Sequence, residues 1–190
     1  MTKEPAMTRA QAVAAIEAGI AKAQELKNLG YELLATGEMG IGNTTTSSAV
    51  ASVLLDQPVE EMTGRGAGLT SEGLVRKIAA IRKAIELNQP DPSDAIDVLA
   101  KVGGLDIAGM AGVFLGGAVY HVPVIMDGFI SCVSALIAMQ ICPAAGDYIL
   151  ASHVSKEPAA HLILEHMKKE AILYADMCLG GGNRCGSFIP

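Results

Sequence analysis

The sequence predicts an α/β fold with a mainly parallel sheet. Short apolar runs with the length of buried strands alternate with longer stretches of helical periodicity, and this alternation is typical of strand–helix–strand units. Polar or glycine-rich segments follow three of the apolar runs, at the strand ends where parallel sheets bind ligands. With 190 residues, the chain is most simply a single domain, residues 1–190, with a core of its own.

The first half of the chain has clear element boundaries. Thr8 and Gln11 form a capping-box pattern that predicts a helix over residues 9–29, which Gly30 ends. A buried strand is predicted at 31–36 and a second helix at 44–55. Ser71 is expected to cap the next helix. The apolar face of that helix is predicted to hold Leu74, Ile78, Ile81 and Ile85, and the basic residues off that face are Arg76, Lys77, Arg82 and Lys83.

The second half is predicted to contain helices at residues 93–102, 106–120, 134–141 and 158–167, and strands at 123–126 and 149–151. Residues 107–126 carry no formal charge and have Gly112 and Gly116 at helix-packing spacing, as a membrane span does. His121 and Pro123 argue against a span. We interpret the stretch as a buried helix followed by a buried strand, so no membrane partner is expected.

Composition limits the classes of function. The net charge of −6 argues against nucleic acid as a partner, because a nucleic-acid surface needs a basic patch. The four cysteines match no zinc pattern. The N-terminus is charged and does not have the apolar region of a signal peptide. A reduced, cytoplasmic setting is therefore expected.

Residues 37–47, Gly-Glu-Met-Gly-Ile-Gly-Asn-Thr-Thr-Thr-Ser, form the most informative segment. A glycine-rich turn that opens a helix offers free N–H groups and a positive dipole end to an anion. Glu38 lies within this anion-seeking loop and suggests a site that also handles a cation, a hydroxyl or a proton. The segment is neither a Walker A loop nor a dinucleotide fingerprint. The alternative is a plain strand-to-helix turn with threonine caps.

Other candidate residues also have structural alternatives. Asp127-Gly128 is either a simple turn or a strand end whose carboxylate holds ribose hydroxyls or a cationic ring. Lys77 is either a phosphate-binding ammonium or part of a solvated helix face. The histidines at 153, 161 and 166 lack acidic partners at ligand spacing, so no metal site is predicted.

Five segments in chain order carry a family resemblance. They cover residues 37–45, 64–69, 101–104, 123–131 and 151–158. Together they resemble nicotinate-nucleotide–dimethylbenzimidazole phosphoribosyltransferases. The resemblance implies a Rossmann-like three-layer fold with a mainly parallel sheet, a homodimer, and no metal or other cofactor. It also implies transfer of 5-phosphoribose from nicotinate mononucleotide to 5,6-dimethylbenzimidazole, which gives α-ribazole 5′-phosphate and nicotinate.

The resemblance also implies roles for single residues. Glu38 is expected to stabilise positive charge at the ribose C1′ as the pyridinium leaves. The expected phosphate ligands are Gly40, Lys77 and Ser155, and the expected ribose ligand is Asp127 with Gly128. The other residues expected at the substrates are Met39, Asn43, Gly66, Gly68 and Leu179, of which Met39 and Leu179 are expected to wall an apolar slot for the benzimidazole-type base.

The chain departs from the family pattern in two respects. We expect it to be incomplete at both ends relative to the family. In addition, the family sequence Leu-Gly-Glu-Gly-Thr-Gly-Ala corresponds to residues 179–185, where Gly181 replaces the general-base glutamate. We therefore expect a weak or inactive transferase. The alternative is a non-catalytic subunit that binds nicotinate mononucleotide or a partner.

Overall fold

The three β-strands of the described chain form one parallel sheet. The fold is taken from a computed structural model, which describes residues 1–66 and 68–174. Strands β1 (Leu34–Thr36), β2 (Val124–Met126) and β3 (Ile149–Ala151) lie in the order β1-β2-β3. Thr36 pairs with Met126, and Met126 with Ala151. All three residues of β2 are buried, because helices cover both faces of the sheet.

The helices of the described residues surround this sheet. They are α1 Arg9–Asn28, α2 Thr44–Leu54, α3 Val59–Met62, α4 Ser71–Asn88, α5 Ala95–Val102, α6 Leu105–Tyr120, α7 Phe129–Ile141 and α8 Pro158–His166. A 3-10 helix spans Pro143–Tyr148. The predicted α/β class with a parallel sheet is confirmed, and none of the described helices is long and apolar enough to cross a membrane.

Helices α1 and α6 pack with their backbones in close contact. A Cβ atom at Gly112 would overlap the Ile16 carbonyl oxygen, and one at Gly19 would overlap the Gly109 carbonyl oxygen. The small residues that first suggested a membrane span therefore serve helix packing, in a helix whose inner residues are fully buried. This pair fixes the scaffold beside β1.

Several predicted boundaries are corrected. The capping box of Thr8 with Gln11 is present, but Thr70 rather than Ser71 caps α4. Helix α7 begins at Phe129 instead of at residue 134, since the whole apolar run is buried and helical. Strand β1 is three residues long, shorter than the predicted run. Helix α3 and the 3-10 helix were not predicted, because pieces this short leave no periodicity to detect.

The parallel register places three loops at one edge of the sheet. The chain leaves β1 into the segment that begins at Gly37, leaves β2 at Asp127, and leaves β3 at Ser152. The predicted convergence of these strand ends is confirmed. Ligands bind at this edge in folds of this class, so the candidate site is sought there.

Candidate functional site

The buried ammonium of Lys77 lies at the centre of the candidate site. Its side chain is on the inner face of α4, and the residue is only 6% exposed. Nζ donates hydrogen bonds to Thr44 Oγ1 at 2.9 Å and to the Gly64 carbonyl oxygen at 3.0 Å. The prediction that Lys77 lies off the buried face of the helix is wrong, and so is the solvated-face alternative. The polar atoms of Thr44 and Gly64 make burial of the charge possible.

The environment of Lys77 changes its acidity. Burial lowers the pKa of the ammonium from its ordinary value, and the nearby Glu157 carboxylate partly offsets this by raising the pKa. An ammonium has three donor hydrogens, and two are used in the bonds to Thr44 and Gly64. Among the described residues, the third has no hydrogen-bond partner and can serve a ligand.

Helix α2 presents its N-terminus beside this ammonium. Gly40 has φ +85°, a left-handed conformation that favours glycine, and a Cβ there would come within 3.9 Å of the Thr44 methyl group. Asn43 precedes the helix, but its side chain does not cap α2. Its Nδ2 instead donates to Asp106 Oδ2 at 2.6 Å. The first turn of α2 is therefore left without a side-chain cap.

The loop between α3 and α4 lies against the first turn of α2. Gly66 has φ +55°, and a Cβ there would lie 2.8 Å from Thr44 Oγ1, so only glycine fits. The Gly66 N–H donates to Glu157 Oε1 at 2.9 Å. Ser155 lies two residues before that carboxylate, and its Oγ accepts the Glu157 N–H at 3.4 Å. The structure thus brings Gly40, Lys77, Gly66 and Ser155 into one connected cluster.

Asp127 is buried in the protein core directly after β2. It is 1% exposed, and its Oδ1 is 3.8 Å from Nδ1 of His153, which is also 1% exposed. Ser152 Oγ lies 2.9 Å from the same nitrogen and donates to the Met126 carbonyl oxygen at 2.8 Å. Burial is the larger cause that raises the pKa of the Cys132 thiol to about 12, and the Asp127 carboxylate is the second. Gly128 follows Asp127 as the residue before α7.

Glu38, Met39 and Gly68 are more exposed to solvent than Lys77 and Asp127. Glu38 is half-buried, and its Oε1 accepts the Met39 N–H at 3.0 Å. Met39 is 72% exposed, and its place in the apolar slot for the base stays a prediction. Gly68 has φ +108° with open space around it. Leu179 and Gly181 lie outside the described residues.

A separate cleft lies elsewhere in the described part of the chain. It has a volume of about 530 Å³ and runs along β1 between α1 and α6, with Leu26, Tyr31, Leu34 and Met110 among its lining residues. It touches none of the predicted ligand residues. In the described ranges, 1–66 and 68–174, His, Cys, Asp and Glu side chains form no cluster of three that could hold a metal.

Two residues of the cluster were not singled out from the sequence. Thr44 was expected only as part of the helix start, and Glu157 was quoted in a motif without a role. A signal for Glu157 was available, because a carboxylate directly before Pro158 is typical of a helix N-terminus. Its contact with Gly66, 91 residues away, has no local signature in the sequence.

The arrangement has the features of a phosphate site. It combines an ammonium that has a donor hydrogen without a partner among the described residues, a helix start without a side-chain cap, and a glycine loop whose Gly66 N–H binds a carboxylate. These donors belong to loops at the carboxyl edge of a parallel sheet, and Glu38 lies in the loop that leaves β1 at the same edge. The fold and the site therefore define an α/β protein suited to a phosphorylated ligand.

Comparison with known proteins identifies the family. A family model described as "Phosphoribosyltransferase" matches residues 1–190. The chain is 55% identical over 181 residues to the nicotinate-nucleotide–dimethylbenzimidazole phosphoribosyltransferase of Ruminiclostridium cellulolyticum, covering 95% of the chain and 51% of that protein. It is 52% identical to the protein of that name from Acetivibrio thermocellus, covering 96% and 52%. The chain belongs to the nicotinate-nucleotide–dimethylbenzimidazole phosphoribosyltransferase family.

Solved structures agree with this assignment. The crystal structure of CobT from Thermus thermophilus superposes with a TM-score of 0.90 at 37% identity, covering 96% of this chain and 55% of that one. The chain spans about half the length of the curated relatives that it matches. The predicted family and fold class are both confirmed.

Proposed function

We propose that this chain binds nicotinate mononucleotide and belongs to an enzyme that transfers its 5-phosphoribosyl group to 5,6-dimethylbenzimidazole. The products are α-ribazole 5′-phosphate and nicotinate. The cluster of Lys77, Thr44, Gly66 and Ser155 at the carboxyl edge of the sheet carries the proposal. The names of the relatives supply the donor nucleotide and the acceptor base.

The proposed mechanism assigns each residue a physical task. The Lys77 ammonium, the N–H groups after Gly40 and the Ser155 hydroxyl bind the 5′-phosphate, because charge-assisted hydrogen bonds to phosphate are strong. The C1′–N bond to the pyridinium then breaks, and positive charge develops on the ribose. The Glu38 carboxylate stabilises that charge. A nitrogen of the benzimidazole attacks C1′, and its N–H proton has to pass to a base.

Two predicted residues have more demanding roles in this proposal. Asp127 is buried, so contact with a ribose requires the loop after β2 to open towards the ligand. The carboxylate of Asp127 then binds the ribose hydroxyls in the proposed complex. Gly128 lies in open space and offers backbone atoms at the same strand end.

The acceptor half of the reaction is proposed to be weak in this chain. The family's general-base glutamate corresponds to Gly181, which has no group that accepts a proton. Loss of a general base costs on the order of 10²–10⁴ in rate. The second candidate function is a non-catalytic subunit that binds the nucleotide or a partner, and the glycine at position 181 favours it.

Binding and turnover separate these proposals. Calorimetric titration should detect binding of nicotinate mononucleotide and much weaker binding of nicotinate riboside, which lacks the phosphate. Binding of ATP without binding of nicotinate mononucleotide would contradict the donor assignment. Gly181→Glu should then raise formation of α-ribazole 5′-phosphate, and Gly182→Glu is the control with the same added carboxylate at the next residue. No gain specific to Gly181→Glu would favour the non-catalytic subunit.

We also propose that the chain works in the cytoplasm as a homodimer. Cys132 and Cys142 are free thiols among the described residues, which suits a reducing compartment. Sedimentation equilibrium would test the dimer directly, because a monomeric mass at micromolar concentration would contradict it.

A further inference from the structure

An internal carboxylate occupies the anion-binding position of the candidate site. Glu157 Oε1 accepts the Gly66 N–H at 2.9 Å, and the carboxylate is close enough to Lys77 to raise the pKa of its ammonium. A Cβ atom at Gly64 would overlap the Glu157 carboxylate, so the loop backbone lies directly against it. The Lys77 ammonium is an expected ligand of the 5′-phosphate, and the Gly66 N–H belongs to the loop whose Gly64 carbonyl oxygen accepts a hydrogen bond from that ammonium.

The carboxylate fits this position incompletely. Its Oε2 is buried and has no hydrogen-bond partner among the described residues. An unpartnered buried acceptor destabilises its site, and more so when it is charged. The third Lys77 hydrogen is also unused within the described chain. The site thus holds an anion whose acceptors do not match the donors around it.

We propose that Glu157 is an exchangeable occupant of the phosphate position, which a phosphorylated ligand displaces on binding. The inference rests on the proposed nucleotide function for the identity of that ligand, but any phosphate monoester has the required chemistry. A phosphate group has three acceptor oxygens and more charge than a carboxylate. It can therefore satisfy Gly66, Lys77 and the start of α2 together.

The exchange makes Glu157 a residue that lowers the affinity of the site for every anion. Every anion that enters must first displace a carboxylate that already has partners, and a like charge left nearby opposes binding. Inorganic phosphate has no further contacts to offset this cost. A nucleotide adds contacts from its ribose and its base, so it is retained where free phosphate is not.

Removal of the Glu157 charge tests the exchange. Calorimetric titration of the full chain with inorganic phosphate and with nicotinate mononucleotide should show tighter binding in Glu157→Gln, by about tenfold for each. Nicotinate riboside, which lacks the phosphate, should bind unchanged. Glu165→Gln is the matched control, because it removes the same charge from an exposed position on α8.

A second variant, Glu157→Asp, keeps the test valid if Glu157→Gln does not fold. The aspartate keeps the charge but is one methylene shorter, so its carboxylate should reach the Gly66 N–H poorly. The folded Glu157→Asp variant should therefore also bind phosphate more tightly than the unchanged chain. Weaker or unchanged phosphate binding in both folded variants would overturn the inference and would show that Glu157 is a fixed part of the loop. If the variants bind phosphate more tightly while no form binds nicotinate mononucleotide, the exchange stands and the proposed nucleotide function fails.

Discussion

The Lys77 ammonium donates a hydrogen bond to Thr44 Oγ1 at 2.9 Å and so joins α4 to the first turn of α2. The two residues are 33 positions apart in sequence, and each follows a different glycine-rich segment. Their contact aligns a cation with the N-terminus of a helix, where both attract an anion. A buried charge seldom stabilises a fold, so the burial of Lys77 beside a helix N-terminus supports the phosphate-binding role that we propose for it.

The first prediction concerns Lys77→Met. This change should weaken binding of nicotinate mononucleotide by about 1.5–3 kcal/mol, the contribution of a charge-assisted hydrogen bond. The free energy of unfolding should stay within about 1 kcal/mol, because relief of ammonium desolvation offsets the lost bonds. Calorimetric titration and urea unfolding measure the two effects. Lys83→Met, at an exposed position on the same helix, is the control, and an equal loss of affinity in it would contradict the assignment.

The second prediction concerns the pH dependence of the same group. Burial lowers the Lys77 pKa below its ordinary value of 10.5, so the unfolded state binds more protons in the window between the folded value and 10.5. Stability should rise with pH through that window, relative to Lys77→Met. Nucleotide affinity should fall in the same window, because the ammonium loses its proton. Parallel pH profiles of unfolding and of binding, with Lys77→Met as the flat reference, check both signs.

The fold could be predicted because its signals are local. The Thr8–Gln11 capping box and the apolar runs around the strands mark their elements directly. The convergence of the loops at one edge followed from the parallel sheet alone. Short elements such as α3 were missed, since four residues carry no periodicity.

Less of the site than of the fold could be predicted from the sequence, because the geometry of the site depends on contacts between residues that are far apart in the chain. Nothing in the sequence of α4 indicates that Lys77 faces inward, since burial requires Thr44 and Gly64 to satisfy its hydrogens. The surroundings of Asp127 likewise come from a distant part of the chain, since its Oδ1 lies 3.8 Å from Nδ1 of His153, which follows the end of another strand. The glycines were recognised more easily, because Gly40 and Gly66 adopt a positive φ that few other residues tolerate.

The third prediction contrasts two glycines of α6. Gly112→Ala should destabilise the protein by about 1–3 kcal/mol, because its methyl group would overlap the Ile16 carbonyl oxygen. In Gly109→Ala the Cβ would meet only the Ala15 carbonyl oxygen, at 4.0 Å, so this change should be neutral or stabilising by up to about 1 kcal/mol, from helix propensity. Urea unfolding measures both. A neutral Gly112→Ala would show that α1 and α6 are not in close contact at this position.

The fourth prediction concerns cysteine reactivity. Burial first, and then the Asp127 carboxylate, raise the pKa of the Cys132 thiol to about 12, so almost no thiolate is present at pH 8. Iodoacetamide should leave Cys132 unmodified in the folded protein and should modify the half-buried Cys142. Asp127→Asn should leave Cys132 protected, since burial is the larger cause. Peptide mapping by mass spectrometry reads each site, and equal labelling of the two thiols would contradict the core position of Cys132.

The fifth prediction isolates the charge of Glu38 without requiring turnover. Nicotinate mononucleotide carries a pyridinium cation, whereas its dihydropyridine form has almost the same shape without that charge. The half-buried Glu38 carboxylate should favour the cation by about 1 kcal/mol, which is about fivefold in the dissociation constant. Glu38→Gln should abolish this preference and leave binding of the dihydropyridine form unchanged. Glu32→Gln, an equal change of charge at an exposed position before β1, should retain it. If Glu38→Gln instead weakens both ligands equally, Glu38 acts through the shape of the loop, because only a charge interaction distinguishes the two forms.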